Sequence, residues 1–429
     1  MNPNDPPAGD NPFGDDPFGE LSKLLGQLGM GGPGGAAGAL GGLGGLGGLG
    51  GGDPWASARQ IAQGVANAGA SEPNLDPLVR MSITDLARVA DLHVRQVPGV
   101  RLSATVAVRP VSKSEWTDTS LDIYRPFFQQ FGDAVGSAGA EQIPAGDPLG
   151  MMMGQMLGSL GPMMVAASAG SMIGHLGQRA LGQYDLPVPR PGNDVLIVPS
   201  TIDSSAEEWG VPVDELRLAT LIHELAAHSV LGTPHVRNRL ESLFIDFASA
   251  FRPNIEMIGE RFGNLTDLSQ LANISEELSD PQMLLDMMRS PTHDLLVPQL
   301  DALVAVVLGY VDVAVNKACT NLVPSIDRIR SAMRERTLGV TPADRFMERL
   351  LGIDIDESTL SRGNHFITGI VERAGDDALE RLWADDLDLP TAAEVDAPGL
   401  WLARIGLDPD LPGGADLEIP DDLSSLDDL

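Results

Sequence analysis

A single cysteine, Cys319, stands in a chain of 429 residues, and that scarcity excludes a disulfide framework within it. Basic side chains are scarce too: 28 Lys and Arg face 60 Asp and Glu, leaving a formal charge of -32. A protein that grips duplex nucleic acid neutralises phosphates with clustered cations, so no nucleic-acid partner is expected. Aromatics make up only 4%. The interior must then be filled by Leu, Val, Ile, Ala and 16 Met, which suits helices better than a sheet sandwich. The residues up to Lys23 lack a basic start followed by an apolar core, so no secretory signal is visible. With one thiol in the chain, the expected compartment is the cytoplasm.

What is abundant is unevenly placed. Residues 31–52 are almost pure Gly, Ala and Leu. Such a stretch cannot offset its ordering entropy by burial, so residues 1–52 are expected to form a disordered tail. Residues 408–429 carry acids and no base, which reads as a second, acidic tail. A single domain over residues 53–407 is left between them.

Inside that domain, apolar residues recur at spacings of three and four over residues 55–67, 76–96, 114–130, 214–230 and 236–251. The same pattern continues over residues 299–318, 324–336, 343–351, 358–374 and 376–383. Strand signal is thin, with residues 195–198 the best candidate and 104–108 the second. Residues 148–178 contain no charge. Their glycines, Pro162, Gln155 and His175, and the lack of a basic cluster at either border, argue against a membrane span. The expectation is a buried helical hairpin broken near Gly161 and Pro162, with Gly150, Gly154 and Gly158 and, beyond the break, Gly170 and Gly174 at its contact.

The segment that carries chemistry is His223-Glu224-Leu225-Ala226-Ala227-His228. In the HExxH motif two histidines one turn apart bind Zn²⁺, and the Glu between them is the base for the metal-bound water. Here the second histidine stands at i+5. At about 100° per residue that places it about 140° around a regular helix from His223. A one-residue π-bulge would realign the two rings. Alternatively, Glu224 and His228 form an i, i+4 pair that shares a metal or simply a hydrogen bond. His235 lies in the following turn. His93, His175, His293 and His365 have no carboxylate or cysteine at ligand spacing and read as ordinary interior or surface histidines.

Around this motif the chain resembles a bacterial, mainly actinobacterial, family of zincin-like hydrolases described as zinc-dependent metalloproteases. The resemblance runs through WASARQIAQ from Trp55, PHVRNRL from Pro234, LGYVDVAV from Leu308, PADRFMERLLGID from Pro342 and the long block from Gly369. It implies a mainly α-helical, zincin-like α+β fold with a minor strand element. It also implies zinc, with His223, His228 and Asp312 as candidate ligands and Glu224 as the candidate catalytic base, acting on a peptide or amide bond. Two positions depart from the family pattern: Ala227 stands where the second ligand His is expected, and Leu308 stands where many members carry Glu. The competing reading is a catalytically inactive relative that serves as a binding or scaffold protein.

Overall fold

The computed structural model describes residues 53–141, 148–252, 288–339 and 341–407. Both expected tails, and the domain boundaries they set, lie outside or at the edge of these residues. The first two helices begin where the sequence supplies a cap. Asp53 accepts from the Trp55 amide to start α1 (Pro54–Ala66), and Asp76 accepts from the Leu78 amide to start α2 (Pro77–Val94). Both place proline in the first turn, where its missing N–H is not needed. There follow β1 (Ala107–Pro110), α3 (Lys113–Glu141), α4 (Pro148–Arg179), β2 (Asp194–Ile197), α5 (Pro199–Trp209), α6 (Val213–Leu231) and α7 (Pro234–Ser249). Beyond residue 287 come α8 (Pro291–Cys319), α9 (Ile326–Leu338), α10 (Pro342–Leu350), α11 (Glu357–Ala374), α12 (Leu379–Leu382), α13 (Ala392–Asp396) and α14 (Pro398–Arg404).

The fold is mainly α-helical with one small sheet among the described residues. β1 and β2 pair in parallel, with Val108 opposite Val195. Each strand sits within three residues of its expected position. Helices α5, α13 and α14 were not expected. α5 carries only Ile202, Ala206 and Trp209 at helical spacing in a polar stretch, and the other two are under eight residues long.

The charge-free stretch needs correcting. It is not a hairpin: α4 runs unbroken from Pro148 to Arg179, with Pro162 inside it. Proline removes one ladder hydrogen bond and kinks a helix, but packing can carry the helix past it. The glycines do mark a close contact, yet the partner is α1. A Cβ at Gly170 would collide with the Ala58 backbone, and one at Gly174 would lie 2.6 Å from Val65 Cβ. The Gln178 side-chain amide then donates to the Val65 carbonyl at 2.7 Å.

α8 is long and apolar enough to cross a membrane by composition, with a mean hydropathy of 1.7, but over half of that window is buried. It packs against α6 on one side and α11 on another. At the second crossing Gly309 meets Gly363, where a Cβ on either residue would collide with the opposing backbone.

Candidate functional site

α6 begins with Asp214 and Glu215, whose charges suit the positive end of a helix. Glu215 also accepts from the Ser325 amide at 2.8 Å, fixing the helix against the start of α9. From Leu216 to Leu231 every residue except His223 is buried. α6 is thus a core helix, apolar nearly all round.

Two polar side chains of this helix, Glu224 and His228, are answered by one segment, residues 180–186, which follows α4. Gly182 forms an antiparallel bridge with Ile197, and the Leu181 carbonyl accepts from the Val198 amide, so the segment lies along β2. Gln183 Oε1 accepts from the Leu196 amide at 3.2 Å. The Trp116 indole N–H donates to the Gly182 carbonyl at 2.7 Å. These bonds aim two amides at α6. Glu224 Oε2 accepts from Gln183 N at 2.8 Å and from Tyr184 N at 2.9 Å. One turn later the Tyr184 hydroxyl meets His228 Nδ1 at 2.8 Å. Glu224 and His228 are therefore an i, i+4 pair on one face, and both are bound by the same loop.

Glu224 is 1% exposed. Burial pushes its carboxyl up from the ordinary range, while the neighbouring His223 and the Tyr184 amide pull the other way. Burial lowers His228 and raises the Tyr184 hydroxyl. The buried imidazole is thus held neutral. A neutral ring matches a hydroxyl that either donates to it or accepts from it.

The remaining candidates are not brought to this point. α6 is regular α-helix throughout, with no π turn, so His223 and His228 stay about 140° apart around it. His223 is 29% exposed, with Nδ1 at 3.6 Å from Glu224 Oε1. Asp312, on α8, is held by the Arg330 guanidinium through two bonds of 2.7 and 3.2 Å. Leu308 packs against the core. His235 lies in the first turn of α7, with a buried Nε2 that has no partner. His293 is a core residue, its ring set between Phe247 and Phe251.

A family model described as a zincin-like metallopeptidase matches residues 54–402. The chain belongs to that family. Among solved structures, this zincin-like protein is similar to a proposed hydrolase with a novel fold from Chloroflexus aurantiacus, at 20% identity and a TM-score of 0.57. The match covers 82% of this chain and 98% of that one, and at such identity it speaks to the fold. No curated protein matches this chain.

Zinc is the metal that the family implies, and the donor set here does not fit it. A structural or catalytic zinc site needs three or four converging ligands. Among the described residues no three His, Cys, Asp or Glu side chains form such a group. The position one turn after His223 is Ala227, which has no donor, and Asp312 is committed to Arg330. Sequence reasoning missed Gly182, Gln183 and Tyr184. Nothing local marks them, because their role comes from backbone amides that only the path of the loop aims at Glu224.

Proposed function

We propose that this chain is a catalytically silent member of the zincin-like family, in which the motif helix serves as structural core and the fold serves as a binding or scaffold module. One observation carries the reading: Glu224, the candidate base, is buried with one carboxylate oxygen occupied by two backbone amides. A general base has to reach the water it deprotonates, directly or through one other water. The unbroken helix, which leaves His223 and His228 diverging, supports the same reading.

The test is the metal content of the full-length protein by mass spectrometry, beside its hydrolysis of a broad peptide library. The expected result is less than about 0.1 zinc per chain and no cleavage, with neither changed by His223→Ala. Stoichiometric zinc that His223→Ala removes, together with cleavage that it abolishes, would overturn the reading in favour of metal-dependent hydrolysis of a peptide or amide bond. A second arm adds Ala227→His and Leu308→Glu together. In a decayed site these changes should create zinc affinity, measured by calorimetry, that the natural protein lacks.

A further inference from the structure

Arg190 is a buried cation without a counter-charge. It is 2% exposed and forms no ion pair among the described residues. Its Nη1 donates to Ser120 Oγ at 3.0 Å, its Nε is buried with no partner, and its Nη2 makes no hydrogen bond among the described residues. A charge left unpaired in the interior is strongly unfavourable, so a buried guanidinium is ordinarily answered by a carboxylate.

The free edge of this side chain has a particular shape. Nε–H and one N–H of Nη2 lie side by side and point the same way, forming the fork that grips both oxygens of a carboxylate. The protein uses that edge elsewhere. By Nε and Nη2, Arg217 holds Asp203 at 2.9 and 2.7 Å, Arg330 holds Asp312 at 3.2 and 2.7 Å, and Arg362 holds Asp396 at 2.7 and 3.2 Å. At Arg190 the same edge is open.

The head group is fixed on its other sides. Trp116, Ser120 and Tyr124 follow one another at four-residue spacing along α3, so they share one face of it. The Arg190 Cζ lies 5.4 Å from the centre of the Trp116 ring and 5.8 Å from that of Tyr124. Pro189 and Pro191 flank Arg190 and stiffen its backbone. A fork fixed beforehand gives up little freedom on binding. The way in is short, because residues 191–194 are exposed. Gly192, in this bend, has a φ of +91° and nothing within 4 Å of its Cβ position, so the bend is not packed down there.

We propose that Arg190 anchors a carboxylate-binding site beside α3, with Nε and Nη2 each donating to one oxygen of the bound group. The ligand is a small organic acid or the C-terminal carboxylate of a peptide. The site stands whether or not the motif helix is catalytic.

The probes are benzoate, its neutral isostere benzamide, inorganic phosphate, and trialanine with a free or an amidated C-terminus. Each is titrated into the full-length protein while the Arg190 Nε–H resonance is followed by ¹⁵N NMR. Benzoate or free trialanine should move that resonance saturably, with half-saturation in the millimolar range or below, and the two amides should not. Benzoate binding without trialanine assigns a small acid, and trialanine binding assigns a peptide terminus. Arg190→Lys keeps the charge without the fork and should weaken binding by about tenfold or more in calorimetry. The benzoate and benzamide comparison is made on the natural protein, so it decides the matter even where the variant is unstable. No saturable shift with either carboxylate, a response to phosphate alone, or undiminished binding by a folded Arg190→Lys would overturn the proposal. None of these readouts involves zinc or cleavage, so their failure leaves the reading of α6 as it is.

Discussion

Gly182 rests on the carboxylate of Glu224, so close that a Cβ at 182 would lie inside the van der Waals shell of Glu224 Cδ. The contact lets the next two amides reach Oε2, at 2.8 and 2.9 Å. A side chain at 182 and this pair of hydrogen bonds cannot coexist without movement of the loop. Gly182→Ala should therefore cost about 2 to 4 kcal/mol, from overpacking plus weakened bonds to a charged acceptor. The denaturant midpoint should fall with the m-value unchanged. A loss below about 0.5 kcal/mol would show that the loop is free to yield, and that the amide clamp is not what holds it.

Glu224 can be separated into acceptor and charge. Glu224→Gln keeps one oxygen for the amides and should cost about 1 kcal/mol. Glu224→Leu leaves two buried N–H groups without acceptors and should cost about 3 kcal/mol or more. Equilibrium unfolding of both variants decides this. Equal stability of all three proteins would remove the structural role.

Tyr184→Phe deletes the hydroxyl that faces His228 Nδ1. The expected cost is about 1 kcal/mol, with a changed ring-nitrogen shift for His228 in NMR as its tautomer loses its partner. An unchanged shift would mean that the hydroxyl does not fix the ring.

Glu348 sets a pH dependence away from this site. It lies in a narrow cleft with Arg179, Asp185 and Asp344. Burial pushes its carboxyl up to about 7, with Arg345 opposing and Asp354 and Asp344 reinforcing the rise. Because the folded value lies above the unfolded one, the folded state holds the proton more tightly. Its stabilising contribution is complete below pH of about 4.5 and is lost as pH rises through about 7, on the order of 3 kcal/mol in all. Glu348→Gln should match the natural protein near pH 4.5 and be more stable at pH 8, giving a flatter Tm profile. Parallel profiles would place the titration elsewhere.

Two glycines should respond in opposite directions to the same change. Gly363→Ala forces a methyl onto the Ala305 carbonyl at the crossing of α8 and α11 and should cost about 3 kcal/mol or more. Gly64, inside α1, has nothing within 4 Å of its Cβ position. Gly64→Ala should raise stability by about 0.5 to 1 kcal/mol through helix propensity. Thermal unfolding of the pair checks both signs.

The sequence by itself determined most of the helical architecture, because apolar spacing acts within a few residues. The spacing over residues 55–67 and 76–96 marks α1 and α2, and the thin strand signal near Val195 marks β2. It also drew attention to His223, Glu224 and His228 and posed the question of whether they share an ion. Tertiary structure alone decided which chain elements those residues face. The charge-free stretch looked like a hairpin because Pro162 and the glycines are local signals, whereas the surface that receives Gly170 and Gly174 is α1, remote in sequence. Gly182, Gln183 and Tyr184 carried no signal, because amide direction and steric contact depend on how a loop is laid over a helix. Spacing along a chain fixes which side chains share a helix face, and only packing fixes what that face meets.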